Sequence, residues 1–197
     1  MNKQPIKFAS LHEVRSAIAA ETARPAAYLQ SMTLARGSAV TEAENLTAGL
    51  DPSPANIAAI AAAHSRVAGL SAAITDFETI GCEHRGRVRA DTLCRENKET
   101  IGDLLDAGLA TFEKSAPSRF EKWRGAIADL AKKAIGRNPD PEAVRLAQME
   151  SEKIQVAADE LNYSLAAAKC GIQNFRDNPS QELFEAAAAA LQSAATS

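Results

Sequence analysis

Aromatic side chains are scarce in this chain of 197 residues: two tyrosines, one tryptophan and six phenylalanines make up 5% of it. Histidine and cysteine occur three times each, and runs of β-branched residues are missing. Each shortage excludes something. Without β-branched and aromatic runs there is little from which to build a sheet. With so few histidines, acid–base catalysis would have to rest on carboxylates that look no different from surface charge. The cysteines, Cys82, Cys94 and Cys170, are odd in number and cannot all pair within one chain, so free thiols in a reducing cytoplasm are expected. No sign of charge dominates: 22 basic against 25 acidic residues leave a net charge of -3. That excludes both a histone-like polycation and an acidic mimic of nucleic acid.

Motifs are missing as well. The chain has no Gly-x-x-x-x-Gly-Lys phosphate loop, no Gly-x-Ser-x-Gly elbow and no His-Glu-x-x-His. Nor does it have the Glu-x-x-His pairs of a helical-bundle metal site. Cys82, His84 and Cys94 are zinc-type donors, but a lone Cys-x-His lacks the second close pair of a structural site. No catalytic residue, cofactor or metal is therefore expected. The first ten residues show no apolar leader, and the alanine runs 58–63 and 186–190 are short and weakly hydrophobic. On that reading nothing reaches the roughly 18 apolar residues of a membrane span, and no membrane partner is expected.

What the chain does have is alanine, about a fifth of all residues. Alanine is the best helix former but removes little area from water. Proline and glycine divide the rest at Arg24-Pro25, Gly37, Gly49 to Pro54, Ala116-Pro117, Gly136 to Pro141 and Asn178-Pro179. Ser53-Pro54, Asp140-Pro141 and Asn178-Pro179 follow the grammar of helix starts. Ser10 with Glu13, Thr41 with Glu44 and Ser118 with Glu121 fit capping boxes. These signals predict helices at 10–23, 25–36, 41–48, 54–85, 88–114, 118–135, 141–176 and 179–195, with a kink or break between Gly81 and Gly86. The fold expected is all-α: an antiparallel bundle or coiled coil of long alanine-rich helices, residues 53–197, with a short-helix appendage at 1–52.

Apolar spacing strengthens the bundle reading. Val144, Ala147, Ser151, Ile154, Ala158, Leu161, Leu165, Ala168, Ile172 and Phe175 follow one another in alternating steps of three and four. So do Ile60, Ala63, Val67, Leu70, Ile74, Phe77, Gly81, His84 and Val88. Phe120, Trp123, Ile127, Leu130 and Ala134 form a third series, and Ile101, Leu104 or Leu105, Leu109 and Phe112 a fourth. Such steps average 3.5 residues and keep a seam turned toward a partner helix. Two readings follow: an antiparallel bundle in which the seams face one another within one chain, which is slightly favoured, and a coiled-coil surface for assembly into a homo-oligomer.

Two basic stretches stand out. Arg85, Arg87, Arg89 and Arg95 cluster, diluted by Glu83, Asp91, Glu96 and Glu99. Lys114 to Arg137 is richly basic, with Lys132, Lys133 and Arg137 at its end, and the helix that follows opens acidic. If these two helices fold back on each other, opposite charges meet across the seam. Phe120 and Trp123 are the aromatics expected at an interface, or in the core beneath it. Small alanine-rich helical proteins with heptads and no motifs are common among assembly, chaperone and phage accessory proteins. The function expected is thus non-catalytic: a protein-binding or assembly role in the cytoplasm. Weak nucleic-acid association through the basic residues is the second reading, and a carboxylate- or metal-dependent bundle enzyme the third.

Overall fold

In the computed structural model every regular element is an α-helix, and no strand occurs among the described residues, which are 6–49, 51, 53–134 and 141–196. At positions 117, 119, 133, 134, 143 and 194–196 the backbone alone is described. The helices are α1 (Leu11–Gly49), α2 (Pro54–Ile80), α3 (Cys82–Glu96), α4 (Lys98–Ala134), α5 (Pro141–Asp177) and α6 (Gln181–Thr196). The chain forms two compact units, one of residues 15–93 and the other of residues 1–14 with 94–197. Residues 51 and 53, which flank the domain boundary the sequence suggests, lie within the first of these units.

Three expected breaks do not occur. Instead of short helices at 10–23, 25–36 and 41–48, α1 runs unbroken for 39 residues with Pro25 inside it. An interior proline costs about 3 kcal/mol. It is tolerated here because Pro25 is buried and shares a face with Ile18, Met32 and Ala39, all buried and seven residues apart. α4 likewise continues through position 117. Phe112 and Ala116 before that position, and Phe120 and Trp123 after it, belong to one apolar cluster with Leu161 and Leu165, which a break would divide. Two capping boxes fall with those breaks. Thr41 lies mid-helix and donates to the Gly37 carbonyl (3.3 Å), and Ser118 donates to that of Ser115 (2.8 Å).

The other helix starts are largely as expected. Ser53 caps α2, its Oγ accepting from the Asn56 amide at 3.3 Å. Ser10 accepts from the Glu13 amide (3.2 Å), while the Glu13 carboxylate takes the amide of Ala9 (2.8 Å). α6 begins two residues later than its proline suggests, because Ser180 serves as cap for the Leu183 amide at 3.3 Å. α2 and α3 part at Gly81, whose φ of 81° lies in the left-handed region that glycine enters without penalty. The predicted helix 88–114 is divided at Asn97, which is buried and whose Oδ1 accepts from the amide of Ile6 at 2.8 Å. Asp140 lies outside the described residues, but α5 opens at Pro141 as read.

In the larger unit α4, α5 and α6 pack against one another. Every member of the α5 seam from Val144 to Phe175 is at least half-buried, and Leu161, Ala168, Ile172 and Phe175 are fully so. Phe175 meets Phe184 of α6 edge-on, with ring centroids 6.3 Å apart. Gly171 lets the two helices come close, since a Cβ there would stand 3.1 Å from Cα of Ala187. Charge locks the α4–α5 pair through Arg176, which reaches Glu99 (3.6 Å), Asp103 (3.3 Å) and Asp106 (2.5 Å), and through Lys169 with Glu113 (2.8 Å). These pairs lie outside the stretches 114–137 and 140–160 for which opposite charges were expected to meet, with acid on α4 and base on α5. Lys132 pairs with Asp129 of its own helix (3.6 Å), and Lys153 with Glu150 of its own (2.7 Å). Arg137 lies outside the described residues, as does the side chain of Lys133.

One expectation about apolar length is corrected. α2 is long and apolar enough, by length and composition, to cross a membrane, with a mean hydropathy of 1.5 over 18 residues. Its alanines raise the mean although each is small.

Leu161 is 1% exposed between Phe112 and Ala116, whereas Tyr163, two positions on, is 78% exposed. Leu161→Ala is expected to cost about 2–5 kcal/mol in urea unfolding, and Tyr163→Ala less than about 0.5 kcal/mol. A near-neutral Leu161→Ala would contradict this core.

Candidate functional site

The unit of residues 15–93 pairs α1 with α2 and α3. Thr22 meets Gly86, Tyr28 meets Phe77, and Glu42 meets Arg66, so the numbers fall on one side as they rise on the other. The closest of these approaches involves backbone alone. A Cβ on Gly86 would lie 2.4 Å from the carbonyl oxygen of Thr22, so only glycine lets α3 come this near to α1. One turn further on, Glu21 ties the same helices by charge. Its carboxylate takes Arg89 of α3 at 2.6 Å and Arg24 of its own helix at 2.9 Å. Burial raises the pKa of Glu21, but the hydrogen bonds and attraction of Arg89 and then Arg24 outweigh it and hold the carboxyl below its ordinary value.

Beyond this clamp the helices diverge around the joint at Gly81, and a cavity of about 670 Å³ opens. Arg24, Pro25, Ala27 and Tyr28 line it from α1, Phe77 and Ile80 from α2, and His84, Arg85, Val88 and Arg89 from α3. Its walls are apolar and partly open to solvent: Tyr28 is 56% exposed, Ile80 52% and Val88 46%. The Tyr28 and Phe77 rings lie 5.5 Å apart at 51°. The Arg85 guanidinium sits over the Phe77 ring, its Cζ 4.3 Å from the centroid. A cation placed this way is attracted by the ring face. Its Nε is buried and has no hydrogen-bond partner.

The predicted interaction residues are distributed unevenly around this site. Arg85 and Arg89 are brought together at the cleft. Arg87 pairs instead with Glu83, one turn back on the exposed side of α3. Arg95 belongs to the other unit. Phe120 and Trp123 stack edge to face (5.5 Å, 89°) and pack on the Phe112–Leu161 cluster, which makes them part of the α4–α5 core. His84 does not continue the α2 seam: the helix breaks at Gly81, and His84 and Val88 emerge exposed. The sequence reading missed Pro25, Tyr28 and Ile80. The seven-residue spacing of Ile18, Pro25, Met32 and Ala39 was a signal for the α1 face, hidden by treating the proline as a break.

None of the cysteines Cys82, Cys94 and Cys170 forms a disulfide, and among the described residues no group of three His, Cys, Asp or Glu is placed to hold a metal. What the cleft can do chemically is bind an apolar body and offer a guanidinium to an anion. No protein-family model, no curated protein and no solved structure matches the chain.

Two predictions follow from the clamp. Gly86→Ala is expected to cost about 1–3 kcal/mol by pushing two backbones apart. Gly37→Ala, where an added Cβ meets nothing within 4 Å, is expected to stabilise α1 by about 0.5–1 kcal/mol. Thermal unfolding of both variants checks the pair. The second prediction concerns acid. Because the folded-state pKa of Glu21 is depressed, its contribution is present above the unfolded value, about 4.3, and is lost as pH falls through the folded one. Glu21→Gln should therefore lower the melting temperature at pH 7, with the difference from wild type closing in strong acid. An equal difference at both pH values would contradict the assignment.

Proposed function

We propose that this is a non-catalytic helical protein of the cytoplasm that acts by binding another protein, with the cleft of α1, α2 and α3 as its working surface. The observation that carries the reading is the cleft's make-up: Tyr28, Phe77, Ile80 and Val88 gathered beside Arg24, Arg85 and Arg89. Tyrosine and arginine around an apolar centre are the residues that dominate binding energy at protein interfaces. The seams support a scaffold of antiparallel bundle or coiled-coil type, with seam residues of α5 meeting α4 and α6. Such helices also suit self-association. The seam residues Ile60, Ala63, Val67 and Leu70 of α2 are only half-buried within one chain, and a second copy is a natural partner for them.

A nucleic-acid role has less behind it. Arg87 and Lys132 are already answered within their own helices, and the cleft's apolar walls offer little to a phosphate backbone. Membrane association is likewise the weaker reading of α2, because His64 and Arg66 interrupt its apolar run and Arg66 pairs with Glu42.

Affinity capture from the native host, with wild type and with Tyr28→Ala/Val88→Ala as baits, tests the proposal. The expected result is a protein retained by wild type and lost by the double variant, with both baits equally helical by circular dichroism. Identical capture by the two baits would overturn the cleft's role. Light scattering over a dilution series tests whether the retained protein is a second copy.

A further inference from the structure

We infer that the occupant of the cleft is an acidic amphipathic helix of a partner protein, which sets a bulky apolar side chain against Tyr28, Phe77 and Val88 and a carboxylate on Arg85. The inference rests on the reading that the protein works through a protein surface, and it specifies the chemistry of the partner.

Charge complementarity carries it. Three guanidiniums border the cleft, those of Arg24, Arg85 and Arg89, and among the described residues the carboxylate that answers them is that of Glu21. Glu21 is engaged by Arg24 and Arg89. Arg85 is left without an ion pair among the described residues, placed over the Phe77 ring with its Nε buried and unbonded. A charged donor in that state has lost its hydration without gaining an acceptor, which a structure normally avoids. A carboxylate at the outer edge of this guanidinium would balance its charge, since its two oxygens match the fork of a guanidinium. Water gives an acceptor too, but the apolar walls make a wet site unfavourable and reward an anion that carries its own apolar body.

The openness of the cleft, walled by three separate helices, suits a helix. The lining covers about one to one and a half turns on each of three helices, Arg24 to Tyr28 on α1, Phe77 to Ile80 on α2 and His84 to Arg89 on α3, with the axis broken at Gly81 between the last two. The wall residues Tyr28, Ile80 and Val88 stay about half-exposed, as suits an open groove rather than an enclosed pocket. An amphipathic helix presents apolar residues at i, i+3 or i+4 and i+7, with acids on the flank.

The test uses the full chain and a fluorescein-labelled, alanine-based helical peptide of about 15 residues, with leucines at those spacings and flanking glutamates. A second peptide replaces the glutamates with glutamine, a third replaces the leucines with alanine, and dodecanoate serves as a small carboxylate. Fluorescence anisotropy is expected to show binding of the acidic peptide, weakened at least about tenfold by either replacement. Arg85→Gln should bring the acidic and glutamine peptides to equal affinity. Arg87→Gln, whose residue faces Glu83, should leave their difference intact. Equal binding of the glutamate and glutamine peptides to wild type overturns the inference, whether or not Arg85→Gln folds. So does dodecanoate binding that depends on Arg85 while no peptide binds. In either case a protein captured by wild type and lost with Tyr28→Ala/Val88→Ala would leave the broader proposal standing, so the two fail separately.

Discussion

The contact on which the site depends is made by backbone. At Gly86 the axis of α3 comes so close to α1 that a single methyl group would stand 2.4 Å from the Thr22 carbonyl oxygen. A helix carbonyl is fixed by its own hydrogen-bond ladder and cannot swing aside as a side chain does, so the approach is all or nothing. It brings Arg89 within reach of Glu21, and Arg85 on the same turns over Phe77. It also explains the turn that faces it. Pro25 has no N–H to offer the Glu21 carbonyl, so the ladder of α1 is already interrupted where the helices touch. Burial of the proline ring against this interface offsets that loss, and the helix continues.

A chain with so much alanine needs such close approaches. A buried methyl contributes about 0.8 kcal/mol, against about 1.5–3 kcal/mol for a whole leucine or phenylalanine side chain. Small side chains stabilise a fold only if helix axes come near enough for dispersion contacts to accumulate. The α5–α6 pair shows the other half of this balance. Ala187 and Ala188 are buried opposite Gly171, while the largest volumes are concentrated in Phe175 and Phe184. A few aromatics anchor the register and alanine fills the space between.

How much of this was readable beforehand follows the same physics. The α5 seam was legible at every position from Val144 to Phe175, because a heptad face depends only on spacing along one helix. The α2 seam was legible as far as Phe77 and failed at His84, because the helix ends at Gly81 and the next begins in a new phase. Pro25 and the proline at 117 were misread as stops, since their local cost is visible in sequence and the tertiary packing that offsets it is not. The cleft was half visible. Arg85 and Arg89 stood out as charge, but their apolar complement comes from Pro25 and Tyr28, some sixty residues earlier in the chain. No periodicity links positions so far apart. The cation at the α4–α5 crossing was not legible for a related reason: composition shows which stretches are basic, and only geometry shows that Arg176 meets Glu99, Asp103 and Asp106.

Each unit holds one such charge hub, and the two are opposite in sign. In the α4–α5 pair one cation, Arg176, serves the three acids Glu99, Asp103 and Asp106, so negative charge is in excess there. Its guanidinium pKa is raised, chiefly by the hydrogen bond to Asp106, and the charge is permanent. In the α1–α3 pair one anion, Glu21, serves two cations while a third stands by. Exposed pairs contribute only about 0–1 kcal/mol each, so neither hub is a large store of stability. Their effect is on direction. A hub with one central charge and several ligands of the other sign fixes which helix turns face each other, and it leaves an uncompensated remainder at its edge. At Arg176 that remainder lies among exposed carboxylates in water, where solvation disperses it. At Glu21 it lies beside Tyr28, Phe77 and Val88, where water is partly excluded and the guanidinium of Arg85 already lacks an acceptor. Excess charge in solvent asks for nothing, whereas excess charge against an apolar wall favours a ligand that brings both an anion and an apolar surface, and this difference in surroundings is why we propose the cleft, and not the Arg176 hub, as the site of recognition.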